Sequence, residues 1–278
     1  MTLEPMRLDL ILLPGARELL AAHARELPQR DDLCGAFCGV LALHAAGIDE
    51  HDSEPLDQDA VALAAGSVVS ALADPGSLPF DEQGRRDYRL ELPFINDASR
   101  SGTTASGLLD AIEELSGRRL AAIPYRGPWT AMTLGGLFDA AAALERPATL
   151  LANLATRHLW GSRAGTAELL GYLLDGRLEG PEPDWDVGHF VCLIGRVRGP
   201  GGSLYGVADT YPSLGRAGVH LQPEERLVRA IERRDMPEGG IIAVVSSKDA
   251  PSVRASAAAL GLREGPWDNG SAIAETER

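Results

Sequence analysis

The order of the apolar runs is the tightest constraint on this chain. Four short ones fall in its second half: Ala148 to Leu154, Val187 to Val197, Leu204 to Ala208 and Gly240 to Ser247. Each is partly β-branched or aromatic and is bounded by Gly, Pro or Asp, the signature of a strand. One helical stretch, Pro223 to Arg234, interrupts them. The first half carries helical periodicity instead. Ala16 to Glu26 sets Leu19, Leu20 and His23 on one stripe, with Leu27 just beyond, and Pro28 ends it. Further helices are predicted from Cys34 to about Ala46, with Asp31 and Asp32 as caps, and over Asp57 to Ala73, Thr103 to Ser116 and Leu134 to Leu144. A strand is predicted at Leu120 to Pro124 and a short one around Tyr88 to Leu92. Helices first and strands second predict an α+β fold with N-terminal helices packed on an antiparallel sheet, rather than a regular βαβ chain.

With 278 residues, the chain can bury a core without disulfides or metals as staples. One main unit is expected over residues 1–248, with an insertion at about 155–186 that holds a helix at Thr166 to Leu174. A partly disordered tail is expected over 249–278, loosest from about Gly261. Asp and Glu number 40 against 26 Lys and Arg, for a net charge of -14. Such a surface repels phosphate backbones, so no nucleic-acid partner is expected. No apolar run approaches the ~20 residues that span a bilayer, and no membrane association is expected. Met1 to Arg17 lacks the basic region and cleavage site of a secretory signal. Three cysteines, Cys34, Cys38 and Cys192, are too few and odd in number for a disulfide scaffold, so a cytoplasmic location is expected. The sequence leaves the oligomeric state open.

Three places carry chemistry together: Gln29 with Cys34-Gly35, then Gly188-His189, then Asp209. A thiol becomes a nucleophile as its thiolate, and a helix N-terminus stabilises that anion. Cys34 falls at such a terminus. Gly35 leaves space beside the sulfur for a substrate carbonyl. His189 sits in an apolar strand, where a polar residue needs a reason. Asp209 ends the following strand and would face His189 across a hairpin, holding the imidazole in orientation. Gln29 can donate its amide to an oxyanion alongside the Cys34 backbone N–H.

In this order the segments QRDDLCGAFCG, VGHFVCLIGRV and YGVADTYPSLG resemble the papain-like cysteine peptidases, in particular their C39 and C39-like branch. The resemblance spans roughly Leu27 to Ser247, with specific matches in those three windows. Two departures are visible: Ala36 stands where the family has Pro after Cys-Gly, and the Gln-to-Cys gap is about one residue short. The resemblance implies Cys34 as nucleophile, His189 as general base and acid, Asp209 as its orienter and Gln29 as oxyanion donor. It implies acyl transfer through a thioester on a peptide or amide substrate, in peptide processing or tailoring, with no cofactor and no metal.

Other readings of the same residues stand beside this one. A buried thiol is a common core residue, and Cys38 and Cys192 read as core. A binding domain that keeps the cleft without reactivity, and a deamidase or transglutaminase-like acyltransferase, use the same order of residues. A zinc site from Cys34, Cys38 and His189 lacks a fourth ligand and the usual spacing. Gly35, Gly188, His158 and Trp160 are candidate substrate-binding residues, and Asp184 and Asp186 are candidates for the cleft rim. Specificity is expected from the loop Asp74 to Ser101 and from the insertion.

Overall fold

The computed structural model describes residues 8–273. The elements run in the order β1 (Asp9–Leu12), α1 (Ala16–Glu26), α2 (Cys34–Ala45), β2 (Glu50–His51), β3 (Glu54–Pro55), α3 (Gln58–Ala64), β4 (Val69–Ser70), β5 (Phe94–Ile95), α4 (Ala105–Leu115) and β6 (Leu120–Arg126). Then follow α5 (Ala131–Ala142), β7 (Ala148–Ala155), α6 (Thr166–Asp175), β8 (Gly188–Arg198), β9 (Ser203–Ala208), β10 (Val219–Pro223), α7 (Glu224–Glu232), β11 (Gly240–Ser246), α8 (Ala250–Ala259) and β12 (Arg263–Glu264). The main sheet has eight strands in the order β10-β9-β8-β7-β11-β6-β12, and β1 pairs with the far end of β8. Its ladders are all antiparallel. The α+β class with an antiparallel sheet is therefore as the sequence predicts.

Both faces of this sheet are covered, which explains why its strands read as nearly continuous apolar runs. Ile242 and Val244 of β11 face a layer built from α1 to α4, with Phe190, Cys192 and Ile194 of β8 beside them. Ile241, Ala243 and Val245 face the second layer, formed by α5, α7 and α8. The period-2 alternation thus feeds two cores rather than one core and solvent. The sequence reading foresaw only the N-terminal layer. A satellite cluster of Trp160, Tyr172, Leu173 and Leu204 anchors the inserted segment around α6.

Several local expectations are corrected. The helix predicted to reach Ala73 stops at Ala64, because Gly66 turns into the left-handed region (φ +61) and Val69-Ser70 then pairs in parallel with Phe94-Ile95. That pairing, not Tyr88 to Leu92, is the strand of this region. Helix α5 starts three residues before Leu134, where Thr130 and Thr133 form a capping box. β1, unforeseen, extends the sheet along β8. The segment expected as a loose tail is built into the fold as far as it is described. Helix α8 packs on the second layer, β12 pairs with β6, and Trp267 is buried. Residues 274–278 lie outside the described residues. No helix among those described is long and apolar enough to cross a membrane.

Candidate functional site

Cys34 is the first residue of α2. No side chain caps it: Leu33 is the N-cap residue, without a capping hydrogen bond. The expected caps are engaged elsewhere. Asp31 accepts from the Arg85 backbone N–H at 2.8 Å, and Asp32 accepts from the Ser70 N–H at 2.7 Å and the Ser101 hydroxyl at 2.8 Å. The first-turn N–H groups and the positive end of the helix dipole are thereby left for whatever sits at Cys34. Cys34 is half-buried, while Cys38, one turn on, and Cys192 are sealed in the core. The Cys192 thiol lies 3.9 Å from the Cys38 carbonyl, and burial pushes the Cys38 thiol well up.

Strand β8 brings His189 to this point, with an exposure of 2%. Its Nε2 donates to Asp209 Oδ1 at 2.8 Å, and Thr210 Oγ1 lies 3.3 Å from the same nitrogen. Nδ1 is then the ring nitrogen left for the cysteine. Burial opposes charge on the ring, but the Asp209 carboxylate and the neighbouring Cys34 side chain outweigh it and raise His189 to about 10. Asp209 follows β9, whose register aligns Ala208 with Cys192 and so sets Asp209 beside the start of β8. Burial alone would raise this carboxyl, yet His189 and His220 hold it well below the usual carboxylate range.

Asp209 is held from several sides. Oδ1 also accepts from the Thr210 N–H at 2.7 Å, and Oδ2 accepts from His220 Nε2 at 3.1 Å. His23 Nε2 donates to the Asp209 backbone carbonyl. Behind His220, Gln222 donates from Nε2 to His220 Nδ1 at 3.0 Å and to the Trp160 carbonyl at 2.9 Å, while the Trp160 N–H donates to Gln222 Oε1 at 2.8 Å. The chain of donors fixes the His220 tautomer and braces the carboxylate against rotation. His220 and Gln222 escaped the sequence reading. The signal was present: two polar residues two apart in β10 share a face of a buried strand.

The cleft over these groups has a volume of about 410 Å³. Gln29, Cys34, Gly188 and His189 line it together. The Gln29 backbone N–H donates to the Thr210 carbonyl at 3.0 Å, which ties the loop before α2 to the segment after β9. The Gln29 amide faces the cleft with its Oε1 buried and unpartnered. Trp185 stands edge-on to His189 with ring centroids 4.8 Å apart, and Tyr211 stands edge-on to Trp185 at 5.6 Å. Asp74, Ser77, Leu78 and Ser101 come from the predicted specificity loop, and Asn269 to Ser271 close the rim from the C-terminal segment.

Of the four expected substrate contacts, Gly188 lines the cleft and the other three do not. Gly35 does not line the cleft: a Cβ there would stand 2.9 Å from Thr103 Cβ and 3.3 Å from Phe190, so its lack of a side chain serves helix-to-strand packing. Gly188 does line it, and makes room for Arg233, whose Nη2 would be 2.7 Å from a Cβ. His158 opens onto a separate surface hollow shared with Arg229 and Asp235. Trp160 is 1% exposed and acts through its backbone on Gln222. Asp184 accepts from the Ser162 N–H at 2.6 Å and Asp186 pairs with Arg157 at 2.7 Å, so neither faces the cleft. Arg233 and Asn153, unnoticed in the sequence, do. Among the described residues, no group of three or more His, Cys, Asp or Glu side chains is arranged to hold a metal ion.

No curated protein matches this chain. One family model does, over residues 13–268, a span that takes in every side chain of the Cys34–His189–Asp209 cluster. The chain belongs to a family of unknown function, DUF6885.

Proposed function

We propose that the protein is a papain-like cysteine enzyme, similar to the C39-like branch, that breaks a peptide or amide bond through a thioester on Cys34. The observation that carries this reading is that Cys34, at the start of α2, and His189, hydrogen-bonded to the buried Asp209 carboxylate, line one cleft together. Asp209 holds the Nε2 proton and stabilises the imidazolium, so Nδ1 holds the proton that the Cys34 thiol has given up. The thiolate attacks the substrate carbonyl carbon. The charge that develops on the carbonyl oxygen is met by the Cys34 backbone N–H and the Gln29 amide. The C–N bond then breaks, and the His189 proton goes to the leaving nitrogen. In the second half, water gives a proton to His189 and its oxygen to the acyl carbon. The C–S bond breaks, the acid leaves and the thiol is restored.

The uncapped first turn of α2 supports the assignment, since a capping side chain would compete for the N–H groups that the oxyanion needs. The closed hydrogen-bond chain behind Asp209 supports it as well. The test is intact-mass detection of an acyl adduct after mixing the full chain with a peptide-amide library and quenching in acid. An adduct on Cys34 that disappears in Cys34→Ala and accumulates more slowly in His189→Ala is expected. Amide cleavage that persists in Cys34→Ala would overturn the proposal.

A further inference from the structure

The cleft holds a cation that the triad does not use. Arg233 is 3% exposed and forms part of the cleft lining. It follows α7 in the left-handed backbone region (φ 46), where glycine is the cheap residue. Nη1 donates to Asn153 Oδ1, which also accepts from Trp267 Nε1 at 3.2 Å, so the guanidinium plane is aimed. Nη2 lies over Gly188, next to His189, and Nε is buried without a partner. No carboxylate among the described residues forms an ion pair with it. The acidic side chains of the same cleft, Asp31, Asp32 and Asp74, take their hydrogen bonds from Arg85, Ser70, Ser101 and Gly76. Burial lowers Arg233 to about 10, which still leaves it cationic at neutral pH. A buried cation without a counter-ion is costly, and its missing partner has one route of approach, the cleft.

We propose that Arg233 is the anchor of a carboxylate-binding subsite, and that the acyl donor processed at Cys34 carries a carboxylate. This rests on the acyl-transfer reading above and names its substrate class. The planar fork of a guanidinium suits a carboxylate better than a point charge does. The competing role is within the protein: Arg233 could serve only to stabilise the Cys34 thiolate, the one other anion whose charge reaches it.

A pair of alkylating reagents separates these roles. Iodoacetate and iodoacetamide displace iodide at the same carbon, and one carries a carboxylate where the other is neutral. Rates at Cys34 are measured at neutral pH on the full chain, with the site confirmed by peptide mapping, for the native protein, Arg233→Gln and Arg233→Lys. The iodoacetate-to-iodoacetamide rate ratio of the native protein is expected to exceed that of free cysteine by about tenfold. It should fall close to the free-cysteine value in Arg233→Gln and lie between the two in Arg233→Lys. Equal loss of both rates in Arg233→Gln, with the ratio unchanged, would overturn the subsite in favour of thiolate stabilisation. Should Arg233→Gln fail to fold, a native ratio no higher than that of free cysteine overturns the subsite by itself. Cys34 labelling no faster than free cysteine with either reagent would instead defeat the acyl-transfer reading, so the two failures are distinguishable.

Discussion

Asp209 is the residue on which the site converges, because three imidazoles and a backbone N–H are satisfied on one buried amino acid. Replacing His220 by Ala leaves Asp209 Oδ2 and one Gln222 donor unpaired. A loss of about 1–3 kcal/mol in urea unfolding is expected, with a smaller fall in Cys34 reactivity than His189→Ala causes. The fall for His189→Ala is expected to be about 100-fold or more, since it removes the proton acceptor itself. The pH dependence follows from the same pair. His189 binds its proton more tightly in the folded chain, about 10 against an ordinary 6.5. Its stabilising contribution is therefore complete below about pH 6.5 and is lost as pH rises through about 10. Asp209 works at the other end: its contribution is present above the usual carboxylate range and is lost as pH falls below it. Urea midpoints of the native protein should fall from pH 7 to 10, and His189→Gln should flatten that slope. A native midpoint constant over this range would contradict the pairing.

At the scale of elements, α2 and β8 must lie close for Cys34 to meet His189, and Gly35 sets the approach. A methyl group at Gly35 meets Thr103 and Phe190 inside contact distance. Gly35→Ala is expected to cost about 1–3 kcal/mol by overpacking, and to slow Cys34 alkylation by shifting the helix from the strand. An unchanged melting temperature would remove that explanation. This contact also shows where sequence was readable. Cys34, His189 and Asp209 could be found because their helix start, buried strand and strand end are each encoded locally. The two-sided sheet was hidden, since a run such as Gly240 to Ser246 looks the same whether one core or two receive it. Arg233 was hidden because its role depends on a left-handed turn after α7 and on Gly188 across the chain. His158 and Trp160 were misplaced because the first part of the inserted segment folds against Gln222 and β9, and only Trp185 near its end reaches the cleft.

Across the whole molecule, the C-terminal segment is structural. Trp267 packs into the N-terminal core layer and donates to Asn153, Asn269 donates to the Thr103 carbonyl at 3.0 Å, and Gly270 and Ser271 line the cleft. Trp267→Ala should destabilise the fold by about 3–5 kcal/mol, read by urea unfolding, and should also release one hold on Asn153 and hence on Arg233. A change below about 0.5 kcal/mol would mean that the segment is an ornament of the fold. The chain carries a net charge of -14, and its cleft lining holds the buried cation of Arg233.

The central claim is that Cys34 and His189 act as one unit, and the rate of iodoacetamide labelling at neutral pH tests it most directly. Cys34 in the native chain should react about tenfold or more faster than free cysteine, and His189→Ala should abolish that advantage. Labelling no faster than free cysteine, or a rate indifferent to His189→Ala, would contradict the account.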